Sequence, residues 1–203
     1  MKKQIKYITI GILLIAFLFL YQEEKIIVNE NDKINIQQFD LILTSGQSLQ
    51  SKLLNLFNFT RYSYSHIGLI LKKNNEIYVL HSTPDGTKEN GIRFDHFQQF
   101  IDLSNVNYYR ILRLNTKDNY NLNRSLNRFK NKKVAFDYEF NNFDKNKIYC
   151  SELIFDIFNE NGLIKTKIDL SKPIHPKIFA QMPEFSSIMD RNSNNNINQK
   201  IPK

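Results

Sequence analysis

Short runs dense in Ile, Leu, Val and Tyr alternate with polar breaks through the middle of this chain, and their spacing predicts the elements. FDLILTSG (39–46) reads as a strand ending at Gly46. SLQSKLLNLFNF (48–59) carries Leu49, Leu53, Leu54 and Phe57 at helical spacing, with Ser48 as an N-cap. YSHIGLILK (64–72) and EIYVLHS (76–82) read as two strands of a hairpin joined by KNNE. GIRFDHFQQFIDL (91–103) predicts a short strand and then a helix capped by Asp95, and VNYYRILRL (106–114) predicts another strand. NYNLNRSLNRFKNK (119–132) has a helical, basic pattern, and KVAFDYEF (133–140) fits neither period cleanly. SELIFDIFNENG (151–162) places Leu153, Ile154, Ile157 and Phe158 on one helical face and ends at Gly162, a C-terminal cap residue. Strands that follow one another with short turns, with helices between and after them, predict an α+β fold with helices on one face of an antiparallel sheet.

The two ends differ from this middle. Lys2, Lys3 and Lys6 precede an apolar run from Ile8 to Leu20. Its 13 residues fit the hydrophobic region of a signal peptide and fall short of the roughly 20 of a membrane span. Apolar residues at nearly every position leave no polar face, unlike an amphipathic core helix. Residues 1–24 are therefore expected to be a signal peptide or a short membrane anchor, with Tyr7 and Tyr21 at the interfaces. No cysteine stands directly after the run, where the chain continues Tyr21, Gln22, Glu23, Glu24, and this excludes lipoprotein anchoring. Either reading puts the rest of the chain outside the cytoplasm, in the periplasm or at the cell surface. A polar linker leads into one domain over 37–189, and the Asn-rich residues 190–203 are expected to be disordered.

Charge confirms this division. Of the formal net charge of +8, the N-terminal lysines carry three and the tail after Met189 a net two, which leaves +3 for residues 22–189. The basic balance is terminal, so no nucleic-acid-binding face is implied.

Candidate chemistry centres on IYCSELIFDIF (148–158), which holds the chain's one cysteine. Structural cysteines outside the cytoplasm come in pairs, so an unpaired one points to a working thiol. Cys150 falls at the first turn of its helix, where free N–H groups and the dipole favour a thiolate and can face an oxyanion. His66 lies on a strand, on one face with Gly68 and Ile70, while Ile67, Leu69 and Leu71 take the other. His81 lies near the end of the hairpin partner, within reach of His66, where a second polar group can fix the tautomer of the first. His96 and His175, the latter a fallback third member, sit in more polar contexts. Neither HExxH nor CxxC spacing occurs, so no metal and no cofactor is expected.

DLILTSG, then YSYSHIGLILKKNNEIYVLHSTPDG, then FDYEF, then YCSELIFDIF together resemble the permuted papain-like hydrolases of the NlpC superfamily, closest to its YiiX/YaeF-like amidases. The resemblance covers roughly residues 39 to 160. It implies a circularly permuted papain-like (NlpC-type) α+β fold, with the cysteine-bearing helix packed on an antiparallel sheet. It implies Cys150 as nucleophile, His66 as general base and acid, and His81 as the third polar residue. The Cys150 backbone N–H would form part of the oxyanion hole, with Tyr62 or Tyr64 as a second donor. Asp137 matches a Tyr-Asp pair, with Phe136 in place of the Tyr. Glu152 follows the motif too, and a first-turn carboxylate suits the helix dipole on its own.

Three functions are open at this point. The first is a cell-envelope hydrolase that cleaves amide or isopeptide bonds through an acyl-enzyme. The second is a lipid acyl hydrolase or acyltransferase of the lecithin–retinol acyltransferase type, towards which His81 in the third place leans. The third is an inactive binding module. The partners expected are accordingly a peptide or amide substrate in the envelope or a lipid, and a membrane through residues 1–24.

Overall fold

The computed structural model describes residues 26, 28, 30–46, 64–84, 91–103, 106–116, 120–130 and 134–192. The apolar N-terminal run, the helix expected over 48–59 and Tyr62 lie outside the described residues. Among the described residues no helix is long and apolar enough to cross a membrane.

The frame is a six-stranded sheet. Its strands are β1 (Leu41–Gly46), β2 (His66–Lys73), β3 (Glu76–Thr83), β4 (Gly91–His96), β5 (Val106–Leu114) and β8 (Phe185–Asn192), in the order β4-β3-β2-β1-β5-β8. Every neighbouring pair is antiparallel. Two short strands, β6 (Ala135–Phe136) and β7 (Lys147–Ile148), pair in parallel beside it. The helices are α1 (Glu30–Asn35), α2 (Phe97–Leu103), α3 (Asn123–Lys130) and α4 (Cys150–Glu160), with a 3₁₀ turn at Pro176–Ile178.

Most strands arise where the side-chain alternation places them. β2 and β3 form the expected hairpin, and Asn74 and Asn75 both take positive φ at its turn, a conformation Asn tolerates well. α4 ends at Glu160 with Asn161 as its C-cap, and Gly162 follows with φ +68°, as its place after the apolar run predicts. Two expectations need correction. β8 has no strong alternation and runs to Asn192, so the first residues of the expected tail are part of the sheet. There they are held by Arg110 on Asp190 and Arg191 on Asp32. Helices also cover both faces of the sheet rather than one.

The two faces have separate cores. Ile67, Leu69, Leu71, Leu41, Leu43 and Leu80 pack with α4, α3 and the loops around them. Ile42, Ile70 and Val79 pack with Phe97, Phe100 and Ile101 of α2 and with Ile36 after α1. The alternation read from SHIGLIL is thus realised, with His66 and Ile70 on the α2 side. The single-face expectation fails because α2 presents its own apolar stripe, Phe97, Phe100 and Ile101, which has to be buried against the sheet.

One feature of the sheet positions the site. The β2–β3 ladder stops at Leu69–Leu80, although β3 continues to Thr83 along β4. Past that point β2 and β3 part, and Gly68 sits at the junction. A Cβ there would lie 2.3 Å from Val79 Cγ1 and 3.2 Å from the carbonyl oxygen of Leu80. Gly68→Ala is expected to force the strands further apart and destabilise the fold by about 1–3 kcal/mol. Urea unfolding measures this, and an unchanged midpoint would mean the strands are not tightly apposed.

Candidate active site

Cys150 is the first residue of α4, after Tyr149 in an extended conformation with no side-chain cap. The first-turn N–H groups are therefore not taken by a capping side chain. Three contacts fix where this helix begins. Ser82 Oγ donates to the carbonyl of Ile148 at 2.7 Å, which ties the residues before the cysteine to β3. Asp137 accepts the N–H groups of Glu139 at 2.9 Å and Asn141 at 2.5 Å, and its own N–H donates to Ile148 at 3.3 Å. Tyr149 donates from its hydroxyl to Asn142 and accepts the N–H of Ile174 at 2.7 Å. Asn142 in turn donates to the carbonyls of Leu170 and Lys172. The helix start is thus pinned from three sides by buried polar contacts.

The sulfur reaches the opening between β2 and β3. Cys150 is buried, and its Sγ takes hydrogen bonds from the backbone N–H groups of Ile67, Ser151 and Cys150, with the Ser151 hydroxyl 3.8 Å away. Ile67 is the residue after His66, so nucleophile and imidazole are separated by one peptide unit of β2. The ring itself lies on the other side of the sheet, stacked on Phe100 with centroids 5.4 Å apart. Cys150 and His66 share no hydrogen bond in this state.

His66 and His81 are brought together. His66 Nε2 lies 2.8 Å from His81 Nδ1. His81 Nε2 lies 2.9 Å from Oδ2 of Asp95, and Arg93 Nη2 donates to Oδ1 of the same carboxylate at 3.1 Å. Phe100 packs edge-on against His81, with centroids 4.8 Å apart, and so supports both rings. Asp95 was expected as a helix cap, and the structure corrects this: it lies inside β4 and faces His81. His81 pairs with Arg93 across the ladder, so a residue two further along β4 falls on the same face and diagonally within reach. The parity of the strand GIRFDH carries that signal. Ser82 and Phe100 are functional supports that no motif marks.

The electrostatics differ from the expected ion pair. Burial pushes the Cys150 thiol pKa up, and the hydrogen bonds from Ser151, Ile67 and the helix start oppose this without offsetting it. Burial, and then His81, push His66 well below 6.5 against the pull of Asp95. The resting pair is therefore a neutral thiol and a neutral imidazole. The thiolate expected from the helix end is not the resting form, because both groups are shielded from water. Burial likewise lowers His81, against the bond to Asp95. Burial alone would raise the Asp95 carboxyl, yet its bonds to His81 and Arg93 hold it below the ordinary range.

The other described residues singled out make contacts of their own, and Tyr64 shares the core on the α4 side of the sheet with Cys150. Tyr64 is buried on the α4 side, hydrogen-bonded to Tyr108 and beneath the Arg110 guanidinium, 5.9 Å from its ring. His175 caps the 3₁₀ turn by accepting the N–H of Lys177 at 3.2 Å, and burial lowers its pKa to about 4. His96 packs on Tyr78 with centroids 4.4 Å apart.

A family model covers both the sheet and the cysteine-bearing helix. The model for permuted papain-like amidases of the YaeF/YiiX type, the C92 family, matches residues 35–191. The chain belongs to this family. Among solved structures, a crystal structure of the metalloprotein YiiX from Escherichia coli O157:H7 is similar in fold. It is 17% identical, with a TM-score of 0.59, covering 77% of this chain and 98% of that one. No curated protein matches the chain. The YaeF/YiiX family makes this chain a permuted papain-like enzyme of the cysteine hydrolase kind. That the similar protein is described as a metalloprotein raises the question of a metal here. Among the described residues, no three His, Cys, Asp or Glu side chains are grouped to hold one. His66, His81 and Asp95 spend their facing atoms on each other and do not converge on a common point.

Glu152, two residues after the nucleophile, is buried rather than a simple dipole partner. Its Oε2 has no hydrogen-bond partner, and Oε1 lies 3.4 Å from the mostly exposed Lys145. Burial, and then Asp156, push its pKa up to about 7. The folded protein therefore holds a proton there that the unfolded chain releases above about 4.5, so this group opposes folding increasingly as pH rises towards 7. Glu152→Gln is expected to stabilise the protein at pH 8 by on the order of 3 kcal/mol and to change little at pH 5. Thermal unfolding of both proteins at the two pH values reads this, and a variant less stable at pH 8 would contradict it.

Proposed function

We infer that this chain is an exported cysteine hydrolase that cleaves amide or isopeptide bonds in the cell envelope through an acyl-enzyme on Cys150. The observation that carries the reading is the place of Sγ. It lies on the free amides of a helix start and on the N–H of Ile67, next in sequence to a histidine whose far nitrogen is already engaged. As sulfur attacks the carbonyl carbon, the thiol proton passes to His66 Nδ1. This step requires the ring to swing from Phe100 towards the sulfur through the opening between β2 and β3. The oxyanion forms where the Cys150 N–H can donate. The C–N bond then breaks and His66 returns the proton to the leaving amine. Water, deprotonated by His66, attacks the thioester, releases a carboxylate and restores the thiol. A neutral pair suits this sequence, since the proton moves only as the new bond forms. Residues 1–24 would deliver the domain to the envelope or hold it there.

The test incubates the purified chain separately with peptidoglycan-derived peptides and with vesicles of bacterial phospholipid. New amino and carboxyl termini from the peptides are expected. Release of fatty acid alone would favour the lipid acyl reading. No product from either, with the thiol intact, would favour a binding module.

A further inference from the structure

His81 and His66 form a chain of rings that begins at a charged group the reaction never touches. We propose that Asp95 is a positioning residue that fixes the tautomers of both histidines, and so makes His66 Nδ1 the base. The inference rests on the reading of His66 as the proton acceptor for Cys150.

The chain has one consistent assignment of hydrogens. Asp95 is an ionised carboxylate and can only accept. Facing it at 2.9 Å, His81 Nε2 must carry the hydrogen. A neutral imidazole carries one N–H, so His81 Nδ1 holds a lone pair. Facing that lone pair at 2.8 Å, His66 Nε2 must carry its hydrogen. His66 Nδ1 is then left with the lone pair, and it is the nitrogen that no other ring occupies. Arg93, at 3.1 Å from the second oxygen, keeps the carboxylate turned this way. Three adjacent strands, β4, β3 and β2, each supply one member on one face of the sheet. At rest, Phe100 keeps both rings from turning away.

Asp95→Asn gives this a distinctive test. Arg93 donates to Oδ1, so the asparagine keeps its carbonyl on Arg93 and turns its NH₂ towards His81. His81 Nε2 must then accept, its Nδ1 carries the hydrogen, and His66 is forced to carry its own on Nδ1. A nearly isosteric change therefore reverses both rings and removes the base. Long-range ¹H–¹⁵N correlation spectra of protein labelled at its four histidines read the tautomers directly. In the unmodified protein His66 and His81 are both expected protonated at Nε2, and in Asp95→Asn both at Nδ1. Alkylation of Cys150 by iodoacetamide at pH 7 is expected to slow at least about tenfold in the variant. An Nδ1–H form of either ring in the unmodified protein overturns the proposal even if the variant fails to fold. So does a folded Asp95→Asn protein with both rings unchanged. If the rings reverse as expected but His66→Phe leaves alkylation untouched, Asp95 still sets the tautomers and it is the role of His66 as base that falls.

Discussion

Cys150→Ala is expected to abolish hydrolysis of peptidoglycan-derived peptides, lowering kcat by at least about 10³-fold. Cys150 is the chain's one thiol, and among the described residues the hydroxyls beside it are Ser151, fully buried, and Ser82, fully buried and donating to the carbonyl of Ile148. The fold should survive. The loss of a buried sulfur amounts to about 1 kcal/mol of apolar burial, a shift of roughly 2–4 °C in Tm for a chain of this size. Steady-state kinetics on the same preparation used for thermal unfolding separates the two effects. A variant that keeps its hydrolysis would remove Cys150 from the chemistry, whatever its position on the helix.

Phe100→Ala has the largest expected effect on stability. Phe100 is fully buried in the core between α2 and the sheet, and its ring touches both His66 and His81. Removing it leaves a cavity beside two imidazoles that burial keeps neutral. The loss is expected at about 3–5 kcal/mol, roughly 6–20 °C in Tm. Acid should narrow the difference, because water in the cavity lets the variant's His66 take a proton that the unmodified protein excludes. In the folded protein His66 refuses a proton that the unfolded chain accepts below 6.5, so its burial already opposes folding as pH falls through that point. Once the cavity admits water, the rings can also turn, so alkylation of Cys150 should lose its dependence on His66. Circular dichroism melts at pH 7 and pH 5 check the first part, and a drop of less than about 2 °C would contradict it.

Much of this was legible before any coordinates. The period-2 pattern of SHIGLIL fixed which face His66 takes, and the hairpin that brings His81 to it follows from two strands and an Asn-Asn turn. The helix start at Cys150 follows from the apolar spacing of LIFDIF. What the sequence hid was tertiary. Asp95 looked like a cap because it precedes a helix, and only the pairing of His81 with Arg93 shows that it faces a histidine. The charge state of the thiol was misjudged because a helix dipole is visible in a sequence and desolvation is not. β8 was missed because FSSIMDRN is polar at the edge of the sheet, where one side of a strand needs no apolar partner. Tyr64 could be named but not placed, since its contacts with Tyr108 and Arg110 come from a strand more than 40 residues away.

The central claim is that His66 takes the proton of Cys150. It is tested most directly by the rate of Cys150 alkylation by iodoacetamide at pH 7 in the unmodified protein and in His66→Phe, which keeps a ring on Phe100 but no nitrogen. A base at that position predicts a rate at least about tenfold slower in the variant. Equal rates would mean that the two side chains, although one peptide unit apart, do not act together.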